Sequence, residues 1–352
     1  MKKRKLLRLI LFFLCWIAAS GISTAANAGN AERNVRTGKP LVLAVEFNTH
    51  AASAYVAKSR GLYQAEGLQI KTFDSYVTGM ALAAALTRGD VDAAYICLVP
   101  AISAYANGGV RLKVVSGTHH YGYAVVVDPN KIKTPQDLQK PGIRIGCVRE
   151  GNTADLVFQK AIGDYRLDKA AVLDKIRRMN PPEQVLALQM GRLDAAVMPE
   201  HYTSIAVAQG FQTLVGVRDL WPGMQGSVLV VSERLLESSP EIVQSLVKVN
   251  RQATRWINAH PQEAAVIVAD ALQVDGSMSK FSPVFPAKQA SLAGKLTISP
   301  DIVLASLTRG LEVTTSVEPI QVQRMIDYMV ALGLIRSRFD AQTILKLNWP
   351  EP

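Results

Sequence analysis

A chain of 352 residues, 49% of them hydrophobic, is long enough to bury the cores of about two domains, which excludes a small disulfide-held scaffold and a disordered polypeptide. The formal charge of +10 overstates the folded protein, because the first eight residues hold five lysines and arginines and no acid, and removing them leaves +5. The remaining cations are scattered, without a basic run or interleaved aromatics, so nucleic-acid binding finds no support.

Met1–Arg8 is basic, Leu9–Ile17 is almost wholly apolar, and Ala26-Asn27-Ala28 offers a small-x-small cleavage site. This layout predicts a secretory signal peptide over residues 1–28, cleaved after Ala28, and an exported, periplasmic protein. The apolar run is short for a membrane span of about 20 residues. Cys15 leaves with the leader. Cys97 and Cys147 remain; they could pair in an oxidising compartment, although a chain of this size does not need a disulfide.

Leu41–Phe47 reads as a buried strand ending in the polar loop Asn48-Thr49-His50, followed by a helix over Ala51–Arg60 closed by Gly61. Leu68–Phe73 is a second strand, Gly79–Arg88 an alanine- and leucine-rich helix, and Val91–Cys97 and Leu112–Ser116 two further strands. Strands alternating with helices predict a parallel sheet. Tyr123–Val127 is another strand, and Pro135 sits at the first position of a helix start. Ile143–Val148 leads into a helix that ends near Gly163. Val185–Met190, Ala195–Val197 and a helix from about Ser204 follow, and Val228–Ser232 resembles Tyr123–Val127. From Ser239 the pattern is helical over Pro240–Ala259, Pro261–Leu272 and Ile320–Leu332.

Part of this order is a repeat. Residues 85–108 and 187–210 align without a gap, placing Gly89 on Gly191, Asp92 on Asp194, Ala93-Ala94 on Ala195-Ala196 and Gly108 on Gly210. A period of about a hundred residues is too long for a solenoid. It predicts an α/β protein of two related lobes, each a mostly parallel sheet flanked by helices, with a helical C-terminal segment. Residues 37–121 and 227–352 would form lobe one and residues 122–226 lobe two, joined by crossings near Tyr121 and Gly226. Ligands of open α/β sheets sit beyond the carboxyl ends of the strands, here Cys97-Leu98-Val99 and Pro199-Glu200-His201.

Gly61-Leu62-Tyr63 with Gly67-Leu68 resembles a segment of the periplasmic solute-binding proteins of the sulfonate, taurine, nitrate and thiamine-precursor type. Gly89-Asp90-Val91-Asp92-Ala93, Pro100 with Ala104, Gly109–Val115, Gly142–Gly146 and Gly191–Ala195 continue the likeness over nearly the whole mature chain. The resemblance implies the type II periplasmic-binding-protein fold, closing on a small molecule and delivering it to an ABC importer. It implies an inner-membrane permease as partner, a monomer, and no cofactor. Many relatives carry Glu-Pro where this chain has Glu200-His201 preceded by Pro199, so the ligand does not transfer from them.

Four of the five histidines, His50, His119, His120 and His201, fall in loops predicted to follow strands, and both mature cysteines lie at strand ends. Three readings stand open. These groups are polar lining; or imidazoles and Glu200 bind a polar or heterocyclic solute; or histidine and cysteine hold a transition metal or chelate. Adjacent His119 and His120 would point to opposite faces of a strand. The ligand contacts expected are Asn48, His50, Tyr76, Thr78, Leu98 and His119 from lobe one, and Asn152, Thr153, Glu200 and His201 from lobe two. Asn152-Thr153 and Tyr76–Gly79 open helices whose free amides suit an anion or carbonyl. Phe47, Tyr76, Tyr121 and Trp221 are candidates for stacking. Arg149 is the nearest arginine to these loops, short of the clamp a strongly anionic solute needs. Glu200, read as a solvated carboxylate, suits an amino group, a ring N–H or a cation.

There is no Gly-x-Ser-x-Gly elbow, His-Glu-x-x-His or phosphate loop. The chain also lacks the cysteine-rich motif of the fungal thiamine-pyrimidine enzyme that shares the family's fold. A thiamine-pyrimidine-synthase-like enzyme and a cysteine nucleophile beside a histidine are the enzymatic alternatives; the expectation is a binding protein, with no bond made or broken.

Overall fold

Eleven strands form two sheets among the described residues, which are 40–273 and 294–350 of this computed structural model. The leader and its cleavage site lie outside them. The strands are β1 (Leu41–Glu46), β2 (Ile70–Tyr76), β3 (Ala93–Cys97), β4 (Leu112–Tyr121), β5 (Tyr123–Val127), β6 (Ile145–Cys147), β7 (Ile176–Arg178), β8 (Ala195–Pro199), β9 (Gln212–Gly216), β10 (Gln225–Ser232) and β11 (Leu311–Val313).

The first sheet runs β11-β4-β10-β3-β1-β2 and the second β7-β6-β8-β5-β9. Without β11 the two orders are the same pattern, with β10 and β5 in the same place. Each of these strands is antiparallel to both neighbours, β10 to β3 and β4, β5 to β8 and β9. The expected mostly parallel sheets are therefore mixed. The reason is the return crossing: a chain leaving one sheet and coming back must run against the strands it joins.

Local chemistry sets the elements. Gly79–Arg88 is helical between Thr78, whose side chain accepts the Ala81 N–H, and Gly89 in the left-handed region at φ +76°. The long helix Pro240–Ala259 buries Ile242, Val243, Leu246, Val249, Ala253 and Ile257, a stripe at helical spacing that covers one face of the first sheet. Strand alternation feeds two cores: Ala94 and Ile96 of β3 with Val125 and Val127 of β5 enter one, and Ala93, Tyr95, Ala124 and Val126 the other. No described helix is long and apolar enough to cross a membrane.

The repeat is visible in the bonds. Asp92 and Asp194 each close a turn by pairing with the start of a neighbouring strand, at Val42 of β1 and at Arg144, just before β6. Cys97 and Cys147 are both free and buried.

Candidate functional site

The carboxyl ends of β1 and β3 meet at a buried thiol. Glu46 ends β1, and its Oε1 accepts the Cys97 backbone N–H at 2.7 Å, tying it to the last residue of β3. Asn48 then caps a 3-10 turn over Thr49–Ala51, accepting the His50 N–H at 3.0 Å, and this turn folds the His50 ring back over Cys97. Four polar atoms surround Cys97 Sγ: Tyr123 Oη at 2.8 Å, Ser227 Oγ at 3.2 Å, Glu46 Oε2 at 3.3 Å and His50 Nδ1 at 3.4 Å. Gly79 stands against the Glu46 carboxylate, and a Cβ there would overlap Oε1.

His50 Nε2 lies 3.0 Å from the Gly122 carbonyl oxygen. A carbonyl only accepts, so the ring proton sits on Nε2 and Nδ1 turns a lone pair to the sulfur. Gly122 belongs to the turn between β4 and β5, where Tyr121 and Gly122 both take positive φ, 65° and 89°. The same carbonyl accepts the Glu200 N–H at 2.9 Å, so one oxygen holds the loops after β1 and β8 together.

Beyond it, Ser204 Oγ donates to Glu200 Oε2 at 2.6 Å, and the carboxyl group packs on Gly310, at the end of a π-helical turn over Ser306–Gly310. His201 is fully buried, stacks at 4.3 Å on Tyr202, and has no hydrogen-bond partner on either ring nitrogen. Tyr202 Oη in turn reaches the Phe47 carbonyl at 3.3 Å.

Burial governs the charges. It pushes the carboxyls of Glu46 and Glu200 up, raises the thiol of Cys97 and the phenol of Tyr123, and lowers His50 and His201 to about 3. His119, its ring 4.3 Å from that of His50, is lowered by the same cause. Burial thus disfavours the charged form of each group around the sulfur.

A cavity of about 390 Å³ adjoins this cluster, with Tyr123 and Glu200 in its wall. Thr203, Ser204, Arg218 and Arg309 add polar groups to a lining that is otherwise largely apolar. Arg218 already donates weakly to Glu312 and the Leu311 carbonyl and lies 4.1 Å over the Tyr121 ring. Arg309 is exposed at the edge.

Of the expected contacts, the structure gathers His50, Glu200 and His201, with Asn48 as the cap that sets His50 and the His119 ring tilted against it. Asn152 caps the helix Thr153–Asp164, accepting the Thr153 N–H, and Thr153 is fully buried with its side chain beside the Tyr123 hydroxyl. Tyr76 and Leu98 are core residues, and half-buried Thr78 is a helix cap. Three expectations are corrected. His119 and His120 lie within β4, since that strand continues to Tyr121 between β10 and β11; His120 faces Glu312 at 3.6 Å instead. Glu200 is buried, 5% exposed, and not solvated. The stacking candidates are occupied by packing: Phe47 in the core, Tyr121 under Arg218, Trp221 edge-on to Tyr328. Arg149 is exposed, and it is Arg218 and Arg309 that reach a cavity.

Sequence reasoning passed over Glu46, Tyr123 and Ser227. Glu46 had a signal: it is the one charged side chain in the apolar run LVLAVEF, and a buried strand tolerates a carboxyl group only where something binds it.

These two mixed sheets, joined by paired crossings, define the periplasmic-binding-protein class of α/β fold. The chain belongs to the NMT1-like family, which it matches over residues 37–273. A protein of Brucella abortus named as a binding protein is 26% identical over 291 residues, 81% of this chain and 83% of that one. Among solved structures, the zinc-bound ligand binding component of an ABC-type import system from Staphylococcus aureus superposes with a TM-score of 0.70 at 16% identity, covering 88% of this chain and 97% of that one. The aliphatic sulphonate binding protein SsuA of Escherichia coli gives 0.66 at 17% identity over 88% and 97%. The nitrate-binding protein NrtA of Synechocystis gives 0.65 at 12% identity over 87% and 84%.

Proposed function

We propose that this is the exported solute-binding component of an ABC-type importer, trapping a small polar or heterocyclic organic molecule between two lobes. Lobe one would comprise residues 37–121 and 227–352, and lobe two residues 122–226; the grouping of β5–β9 in one sheet supports this division, with β10 entering the first sheet from Gln225. The leader would be removed after Ala28, and the monomer would hand its cargo to an inner-membrane permease. The fold shared with import-system binding components and the relatives named as binding proteins favour this reading.

The observation that carries it is the meeting of the loops after β1 and β8 on the Gly122 carbonyl, beside a cavity walled by Tyr123 and Glu200. Parting the sheets would break the His50 contact, while Gly122 and Glu200, both within residues 122–226, stay bonded to each other; a solute touching both sides would favour the closed form because that form binds it better. The His50 and Cys97 pair is a poor nucleophile: with the thiol raised and the imidazole lowered by burial, the proton stays on sulfur. Binding, not covalent chemistry, suits such a site.

The test is a thermal-shift screen of the mature chain, stripped by unfolding and refolding in chelator, against sulfonates, nitrate, thiamine precursors, flavins and aromatic acids. A solute at 100 times its dissociation constant adds about 2.7 kcal/mol and shifts the midpoint by some degrees. No shift with any organic solute would overturn the proposal.

A further inference from the structure

The three donors at the ends of β1 and β3 fit a purpose that capture of an organic solute does not require. Glu46, His50 and Cys97 are each buried, and one ligand atom from each lies within 4.8 Å of the other two. The separations from Cys97 Sγ, 3.3 Å to Glu46 Oε2 and 3.4 Å to His50 Nδ1, match the edges of a tetrahedron with bonds of about 2.0–2.3 Å from the metal to oxygen, nitrogen and sulfur.

The surroundings are those of a metal ligand set. His50 is fixed by Gly122 in the tautomer that leaves Nδ1 free, the outer hydrogen bond that ligating histidines make. Ser227 Oγ at 3.2 Å and Tyr123 Oη at 2.8 Å can donate to the sulfur once it is a thiolate. Beside the triad, buried His119 has no partner on Nε2, and its ring lies 4.3 Å from that of His50. A thiol, an imidazole and a carboxyl group together select a borderline ion such as zinc over magnesium or calcium.

We propose that Glu46, His50 and Cys97 bind one zinc ion per chain, through Oε2, Nδ1 and Sγ. Zinc binds the thiolate, so the Cys97 thiol proton leaves to solvent as the ion enters. Three protein donors leave a fourth tetrahedral position, which a water molecule or a donor atom of the captured solute would take. The inference stands apart from the solute reading: either site can fail while the other binds.

The test is titration of the mature, chelator-stripped chain with cobalt(II) alone, then with zinc. One cobalt per chain is expected, with a sulfur-to-cobalt charge-transfer band and the visible bands of a tetrahedral ion, both abolished by zinc. Cys97→Ser should remove the charge-transfer band, whereas Cys147→Ser should keep it. Ser227→Ala should weaken binding by about tenfold through loss of the outer hydrogen bond. Absence of stoichiometric binding, or a charge-transfer band that survives Cys97→Ser, overturns the proposal. Should Cys97→Ser not fold, His50→Gln decides: cobalt affinity equal to that of the parent chain also overturns it.

Discussion

Asp92 and Asp194 make the same pair of contacts, 102 residues apart. Asp92 Oδ2 accepts the Val42 N–H at 3.0 Å while its own N–H goes back to the Val42 carbonyl; Asp194 Oδ2 accepts the Arg144 N–H at 2.9 Å and returns its N–H to the Arg144 carbonyl. Val42 and Arg144 are themselves 102 residues apart. The second carboxylate oxygen takes Arg234 in one sheet, and Arg144 with Lys131 in the other. Each aspartate thus anchors the strand before the site to the strand that carries it.

Asp194→Ala should therefore cost about 2 kcal/mol, since it leaves the half-buried Arg144 N–H and two partly exposed cations without their acceptor, and Asp92→Ala should cost less. Urea unfolding at neutral pH measures both. The Asp194 carboxyl is held far below the usual carboxylate range, chiefly by the Arg144 hydrogen bond. Its folded value being depressed, its contribution is present above the unfolded value of about 3.9 and fades as pH falls below that. A loss near zero at pH 7 would dismiss the anchor.

The buried histidines set a second pH dependence at higher pH. His50 and His201 stay neutral in the fold down to about 3, while in the unfolded chain they take up a proton below about 6.5. The unfolded state then binds more protons, so stability is full above about 6.5 and declines toward acid, by up to about 1.4 kcal/mol per pH unit for each histidine. Urea midpoints at pH 7, 6 and 5 would trace it. His201→Phe keeps a ring on Tyr202 and removes two unbonded nitrogens, so it should flatten the slope without loss at pH 7. An unchanged slope would place that titration elsewhere.

Glu200 is a structural group as well as a cavity wall. Glu200→Ala should lose about 1–2 kcal/mol through the Ser204 bond and weaken solute binding. Glu200→Gln should retain most of the stability, because the amide oxygen still accepts. Calorimetric titration of both variants separates the roles: a solute bound through its cation loses affinity in either, a neutral one only in the alanine.

Gly122→Ala tests the turn that joins the loops. Gly122 sits at φ +89°, and its Cβ would meet His50 Nε2 and the Leu311 side chain. A destabilisation of at least about 2 kcal/mol is expected, with loss of solute capture, by thermal unfolding and the screen described above. Parent-like stability would show that the contact is free to rearrange.

Much of this architecture was legible locally. Gly79–Arg88, Tyr123–Val127, Pro240–Ala259 and Pro261–Leu272 lie where apolar spacing and caps place them, and Asp92 and Asp194 gave away the repeat. What escaped depends on distant partners. In sequence the strand β4 reads only to Ser116, because HHY carries no strand signal; β10 and β11, far along the chain, extend it to Tyr121. The strands β7 and β9, IRR and QTLVG, are short and half exposed, so neither alternation nor a buried run betrays them. The site followed the same rule. Histidines at strand ends were visible one by one, whereas the grouping of Glu46, His50, Cys97 and Tyr123 comes from four strands and loops that only the sheets bring together.

The order of strands also fixes an order of assembly. β3 and β4 follow one another in the chain but are never neighbours, because the slot between them belongs to β10. During synthesis the ribosome releases all of the second sheet, residues 123–216, before the middle strand of the first exists. Until then β3 and β4 each expose an unpaired edge, an invitation to aggregation. A strand made only after the whole second sheet is the one that closes the gap in the first.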